Sequence, residues 1–85
     1  MIQNILDALS DPTRREILKL LKRGERSAGE IAERFDVSAP AISRHLSLLR
    51  EAEMVHARRN GKNVYYSLST DFVEEMKLWL NGFAE

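Results

Sequence analysis

The sequence lacks several features that would define whole classes of protein. None of its 85 residues is cysteine, which excludes a disulfide framework, a thiolate zinc site and a cysteine nucleophile. No apolar run approaches the roughly 18 residues of a membrane span, and the start has no basic, apolar leader. We therefore expect a soluble, unprocessed and cytoplasmic protein of one domain, residues 1–85, without membrane insertion.

The sequence also lacks net charge, but its positive charges are unevenly distributed. Residues 38–63 contain more basic than acidic side chains: Arg44, Arg50, Arg58, Arg59 and Lys62 against Glu51 and Glu53, a local excess of three. A neutral protein can still present a basic face to phosphates when its charges cluster in this way. Chance alone could produce so small an excess, so the charge pattern needs support from motifs.

Apolar residues at helical spacing predict an amphipathic helix at each end of the chain. The first, about residues 2–9, carries Ile2, Ile5, Leu6 and Leu9. The last, about residues 70–83, carries Phe72, Val73, Met76, Trp79, Leu80 and Phe83. Together these stripes exceed what one small core needs, so we expect them to form a homodimer interface. The alternative is that both helices only cover the core of their own chain.

The middle of the chain carries the signals of three further helices. Ser10 or Asp11 can cap the second helix, Pro12 suits its first turn, and Gly24 ends it.

Ser27 and Glu30 have the spacing of a capping box at the start of the third helix. After a two-residue break, Ser38 is the N-cap candidate of the fourth helix. Residues 27–50 therefore predict a helix-turn-helix, although Asp36 stands in a turn where glycine is common.

One side of the fourth helix has the character of a DNA-reading surface. Ala39, Pro40, Ser43, Arg44 and Ser47 lie away from its apolar side, which consists of Ile42, Leu46 and Leu49. Small residues allow a helix to enter the major groove, and an arginine can contact guanine with two hydrogen bonds. An ordinary solvated face with one surface charge is the alternative. His45, beside this surface, is expected to contact a phosphate or to pack at the edge of the helix.

A β-hairpin over residues 54–68 follows this helix. Asn60-Gly61 fits a two-residue type I′ turn, which would pair Arg59 with Lys62 and His56 with Tyr65. Val55, Ala57, Val64 and Tyr66 would then share the core face. The tip would present Arg58, Arg59 and Lys62 as a wing against the phosphate backbone or in the minor groove. The alternative is a hairpin tip whose charges only interact with water.

The predicted fold is mainly α with a small β-hairpin, in the order ααααββα, which is a winged helix-turn-helix of five helices and a two-stranded wing. The sequence shows no nucleophile–base pair, phosphate loop or cluster of metal ligands, so we expect no enzyme activity, cofactor or metal. His45 and His56 have no evident partner ligand. Glu74 and Glu75 point about 100° apart on a helix and do not converge on one substrate.

Four segments resemble the ArsR family of bacterial repressors over nearly the whole chain. They are Leu9-Ser10-Asp11-Pro12-Thr13-Arg14-Arg15-Glu16-Ile17-Leu18, Ser27-Ala28-Gly29-Glu30-Ile31-Ala32, Ser38-Ala39-Pro40-Ala41-Ile42-Ser43-Arg44-His45-Leu46, and the wing from Arg59-Asn60-Gly61-Lys62 to Tyr65-Tyr66-Ser67-Leu68. The resemblance implies a homodimeric winged-helix repressor that binds double-stranded DNA through residues 38–47, Ser38, Ser43, Arg44 and His45 among them. Within the family, the chain most resembles short, cysteine-free autorepressors.

The resemblance also implies that the usual metal sites of the family are missing. Ser27 and Gly29 stand where many members have paired cysteines, and no histidine follows His56. The expected function is a sequence-specific transcription repressor that binds a palindromic operator as a homodimer and does not respond to metal through these sites. The alternative is a winged-helix module that binds proteins without reading DNA sequence. The relieving signal stays open between a regulatory protein partner, a small molecule and the protein's own level.

Overall fold

The computed structural model describes residues 2–84, which form five helices and three strands. In chain order they are α1 (Ile2–Leu9), α2 (Pro12–Lys22), β1 (Arg26–Ser27), α3 (Ala28–Arg34), α4 (Ala39–Glu51), β2 (Val55–Asn60), β3 (Asn63–Leu68) and α5 (Asp71–Ala84). The five predicted helices and the hairpin are present, and β1 is an additional strand. Within residues 2–84, no helix is both long and apolar enough to cross a bilayer.

The start of α2 is capped by Asp11. Its side chain accepts a hydrogen bond from the backbone N–H of Arg14 at 3.1 Å, and Pro12 occupies the first turn. Ser10, the other candidate, instead donates its hydroxyl to the carbonyl of Asp7 at 2.6 Å. An N-cap carboxylate satisfies an amide that has no partner within the helix, and so it defines where α2 begins.

The starts of α3 and α4 follow the same physical rule. Ser27 and Glu30 form the predicted capping box: the Ser27 hydroxyl accepts from the Glu30 N–H at 3.1 Å, and the Glu30 carboxylate accepts from the Ser27 N–H at 2.8 Å. The Ser38 hydroxyl accepts from the N–H of Ala41 at 3.2 Å. These caps fix where the two helices begin.

The hairpin has a different register from the one that the Asn60-Gly61 turn predicted. Asn60 pairs with Asn63, so the turn consists of Gly61 and Lys62. Gly61 has a φ of 65°, which is the positive angle that a type II′ turn requires at its first central residue. Because a type II′ turn needs a positive φ at only one residue, which is Gly61 here, Asn60 remains in β2.

The predicted cross-strand pairs were therefore wrong, although the predicted face was right. Arg59 pairs with Val64 rather than Lys62, and His56 pairs with Ser67 rather than Tyr65. Each partner moves by two positions, and a shift of two keeps every side chain on its side of the sheet. Val55, Ala57, Val64 and Tyr66 consequently still share one face.

The third strand makes the wing part of a sheet with the order β1-β3-β2. Arg26 pairs with Tyr66, and Ser27 pairs with Tyr65. An N-cap residue has an extended backbone, and at Ser27 (φ −74°, ψ 158°) this conformation also allows strand pairing. A two-residue strand carries too little alternation to be recognised in the sequence.

The core lies where α1, α2, α3, α4 and the start of β2 meet. Its buried apolar residues are Ile5, Ala8, Ile17, Leu18, Leu20, Leu21, Ile31, Ile42, Leu46, Leu49, Ala52, Met54 and Val55. No described residue of α5 is buried to this extent, but Phe72 and Met76 pack against the core from its first half. The second half of α5 thus carries apolar side chains that the core of the chain does not cover.

Candidate nucleic-acid interface

The fourth helix has one exposed face, and its opposite face packs against the core. Ile42, Leu46 and Leu49 are buried against the core. The exposed residues of the predicted reading surface are Ser38, Ala39, Pro40, Ser43, Arg44 and Ser47. The open face therefore consists of small side chains and one long cation, and this is the arrangement that lets a helix lie deep in the major groove.

The preceding helix holds α4 through apolar contacts across a short turn. Ile31 and Ile42 are almost fully buried, and Phe35 packs against the core where α3 ends. Val37, which lies between the two helices, is 40% exposed. The arrangement of α3 and α4 fits a helix-turn-helix whose second helix is free on its outer side.

His45 differs from the other residues of the predicted surface. Only 18% of its side chain is exposed, and its Nδ1 atom lies 3.1 Å from Nη1 of Arg14 and 4.0 Å from the Asp11 carboxylate. The imidazole therefore faces α2 and not the open side of α4. Of the two expectations for His45, packing at the edge of the helix agrees with this position.

The wing carries three exposed cations in different environments. Arg58 donates to the Glu25 carboxylate at 2.8 Å, and its guanidinium carbon lies 5.0 Å from the centre of the Tyr65 ring. The hydrogen bond and charge of Glu25 raise the pKa of Arg58 above its usual value. Within residues 2–84, Arg59 and Lys62 form no ion pair, and so they are the wing cations that are free for another partner.

The predicted interface residues of the terminal helices fall into three groups. Ile5 is 2% exposed and belongs to the core of its own chain, so its assignment to an interface was wrong. The half-buried residues are Ile2, Leu6, Leu9, Phe72, Val73 and Met76. The exposed ones are Trp79 (39%), Leu80 (54%) and Phe83 (75%).

One exposed apolar residue of α5 was missed. Leu78 is 73% exposed and lies outside the apolar stripe, about 140° around the helix from Phe83. The stripe itself continues past the core contacts of Phe72 and Met76, and there Trp79 and Phe83 meet edge to face with ring centres 5.1 Å apart.

The described residues offer no cluster of ligands for a metal. Within residues 2–84, no group of three or more histidine, aspartate and glutamate side chains is close enough to hold an ion. Ser27, at a position where the resemblance led us to look for a thiolate, is engaged in the capping box. The Ser27 N–H lowers the pKa of the Glu30 carboxyl, because that hydrogen bond favours the ionised form.

A packed helix-turn-helix with an open second helix and a basic hairpin defines the winged helix-turn-helix class of DNA-binding proteins. Comparison with known proteins is more specific. Residues 11–57 match the family described as "Bacterial regulatory protein, arsR family". The chain belongs to the ArsR family, and it is a DNA-binding transcriptional repressor rather than an enzyme.

The relatives cover most of the chain and agree in their function. The transcriptional repressor SdpR of Bacillus subtilis is 46% identical over 96% of this chain and 91% of its own length. The arsenical resistance operon repressor of Staphylococcus xylosus is 41% identical over 86% of this chain and 70% of its own. An ArsR-like regulator from Rhodococcus sp. RHA1 superposes with a TM-score of 0.90 at 31% identity, covering 98% and 76% of the two chains. The predicted family and fold class are confirmed.

Proposed function

We propose that this repressor acts as a homodimer on a palindromic operator. The open face of α4 reads the bases, and the wing contacts the DNA beside them. The observation that carries the proposal is the second half of α5. Trp79, Leu80 and Phe83 continue the apolar stripe of the helix beyond the core of the chain and remain 39%, 54% and 75% exposed. Contiguous exposed apolar surface of this kind marks an association site.

A second copy of the chain is the occupant that fits this surface best. α1, which carries half-buried apolar residues, also packs against α5. Two-fold dimers are the commonest way for a soluble protein to bury such a patch on itself. Two-fold symmetry would also place two α4 helices on one side of the assembly, and each could enter the major groove of one half-site.

The chemistry of α4 supports direct reading of bases. Ser43 and Ser47 present hydroxyls that donate or accept hydrogen bonds at base edges or phosphates. Ala39 and Pro40 keep the start of the helix narrow. Arg44 is the long donor on this face, and its guanidinium matches the two acceptors of guanine in the major groove.

We also propose that the repressor does not respond to metal through the usual sites of its family. Ser27 and Gly29 supply no thiolates, and the Ser27 hydroxyl already accepts the N–H of Glu30. We expect Zn²⁺ to leave the affinity for the operator unchanged in a titration with and without chelator. Release of DNA by stoichiometric Zn²⁺ would contradict this part of the proposal.

The direct experiment is selection of duplex DNA from a random pool, followed by fluorescence anisotropy of the selected duplex. We expect an inverted repeat with half-site centres about 34–36 Å apart, or one helical turn, bound by two chains. A selected site without inverted symmetry, or one bound by a single chain at saturation, would contradict the homodimer. Failure to enrich any sequence would contradict base reading by α4.

A further inference from the structure

The side chain of Arg14 joins three helices. It belongs to α2, yet its Nε donates to the carbonyl of Ala8 at 2.9 Å and its Nη2 to the carbonyl of Asp7 at 3.0 Å. Both carbonyls lie in the last turn of α1, where no partner is available within the helix. The remaining arm, Nη1, lies 3.1 Å from Nδ1 of His45 on α4. One guanidinium therefore connects the end of α1 to the reading helix.

This contact determines the form of the His45 ring. A guanidinium has donors but no acceptor, so Nδ1 must present its lone pair and the ring proton must reside on Nε2. The Asp11 carboxylate, 4.0 Å from Nδ1, is too far away for a hydrogen bond, and it already accepts the backbone N–H of Arg14. The nitrogen of His45 that faces α2 is thus committed to Arg14.

We infer that Arg14 and His45 are positioning residues, which set the rotation of α4 about its axis so that its open face meets the bases in register. His45 follows directly after Ser43 and Arg44 in the same turn. Side-chain tips lie about 5–6 Å from a helix axis, so a rotation of about 10° moves them by roughly 1 Å. That displacement exceeds the useful range of hydrogen-bond distances. His45 thus serves DNA binding through Arg14 and not by contact with a phosphate.

The inference rests on α4 being the reading helix, as proposed above, and a double-mutant cycle tests it. Affinities for the selected duplex and for a scrambled duplex are measured by anisotropy, with thermal unfolding of each variant in parallel. We expect His45→Leu to weaken binding of the selected duplex about tenfold and to leave the scrambled duplex within about twofold. His45→Asn, whose side-chain oxygen can replace Nδ1 as acceptor, should retain affinity within about threefold of the parent.

The cycle separates an indirect role from a direct one. If His45 acts through Arg14, Arg14→Leu alone should match the double variant Arg14→Leu/His45→Leu. Arg15→Leu is the matched control, because Arg15 also caps α1, through the carbonyl of Leu9 at 2.6 Å, and within residues 2–84 it forms no hydrogen bond to α4. Additive losses in the double variant would overturn the inference, and so would equal losses on the selected and scrambled duplexes.

A second readout needs neither DNA nor a mutation. Long-range ¹H–¹⁵N spectra of the free protein at slightly alkaline pH report which ring nitrogen of His45 carries the proton. We expect the proton on Nε2, and a proton on Nδ1 would overturn the inference. Because this result does not depend on an operator, failure of the homodimer proposal and failure of the Arg14–His45 pair are distinguishable.

Discussion

At the scale of single residues, the open face of α4 has few side chains long enough to reach a base. From Ala39 to Ser47 its exposed side chains are small except for Arg44, while the opposite side is buried in the core. The specificity of such a surface depends heavily on its one long donor. The serines beside it can adjust to base edges or phosphates, but they provide less discrimination on their own.

We expect Arg44→Ala to weaken binding of the selected duplex by about 1–3 kcal/mol, because one bidentate contact to guanine has this value. Anisotropy titrations with the selected and scrambled duplexes measure the change. Arg50→Ala, a change of the same kind at the far end of α4, is the control and should lose less discrimination. Equal losses of Arg44→Ala on both duplexes would make Arg44 a phosphate contact.

The end of α4 stores a local strain at Glu53. Its φ of 58° is the only positive value of a non-glycine residue within residues 2–84. The N–H of Glu53 bonds to the carbonyl of Arg50 at 2.9 Å, and that of Met54 to the carbonyl of Leu49 at 3.0 Å. These two bonds form a Schellman motif, whose left-handed position normally holds glycine.

We expect Glu53→Gly to raise the free energy of unfolding by about 1 kcal/mol, because glycine relieves the left-handed strain. Denaturant unfolding measures the difference. Glu53→Ala removes the same charge but keeps the strain, and so it should give no comparable gain. If both variants were stabilised equally, the charge and not the backbone would be responsible.

Single residues were predictable where local hydrogen bonds define them. Ser27, Glu30 and Ser38 have the predicted capping roles because a cap requires only its own helix. His45 was less predictable, because its partner Arg14 lies 31 residues away and no periodicity connects the two. The arginine pair of Arg14 and Arg15 could have suggested a cap for α1, since cations near a helix C-terminus are favourable.

At the scale of elements, two helices depend on ionised caps. The backbone N–H of Arg14 holds the pKa of Asp11 below its usual 3.8, and the N–H of Ser27 holds that of Glu30 below its usual 4.5. Both shifts favour the charged form in the folded state. Their stabilisation is therefore complete above these usual values and is lost as the pH falls through the lower, folded values.

We accordingly expect the free energy of unfolding to decline as the pH falls from above 4.5 to below 3.8. Denaturant unfolding across this range measures the slope. Asp11→Asn and Glu30→Gln can keep a cap without titrating, so each should flatten the decline. Glu33→Gln, which removes an equal charge outside the caps, is the control. A slope unchanged by Asp11→Asn and Glu30→Gln would contradict this account.

The wing is the second element with a measurable electrostatic role. We expect Arg59→Ala and Lys62→Ala each to reduce the slope of log affinity against log salt by about one unit, as for one phosphate contact. Arg58→Ala should reduce it less, because Glu25 already neutralises this guanidinium at 2.8 Å. Titrations at several salt concentrations give the slopes. An equal reduction for Arg58→Ala would mean that phosphate displaces Glu25.

Elements were predicted better than the pairing between them. Periodicity and caps located all five helices, because both signals are local. The pair Asn60-Gly61 predicted the hairpin correctly, but the predicted turn type was wrong. Asn60-Gly61 is compatible with a type I′ turn, whereas the observed turn is Gly61-Lys62 and has the positive φ of type II′ at Gly61. The alternation of Val55 and Ala57 fixed the face and left the register undetermined by two positions.

At the scale of the whole molecule, α5 packs on the core with its first half and leaves the apolar residues of its second half exposed. The sequence indicated an excess of apolar surface, but not where the core would end. Ile5 lies inside that boundary, whereas Phe83 lies outside it. Leu78 was not predicted because it lies outside the apolar stripe. Its exposure (73%) is close to that of Phe83 (75%), but it points in a different direction from the helix. This pair provides a matched test of the dimer.

The most direct measurement is the mass in solution of Phe83→Glu and Leu78→Glu, by sedimentation equilibrium, with and without the selected duplex. A carboxylate buried in an apolar interface costs several kcal/mol, so we predict that Phe83→Glu has the mass of one chain and loses tight operator binding. Leu78→Glu should remain a dimer that binds the duplex as two chains. A dimeric Phe83→Glu with unchanged operator affinity would contradict a dimer built on α5, and with it the two-fold reading of DNA by α4.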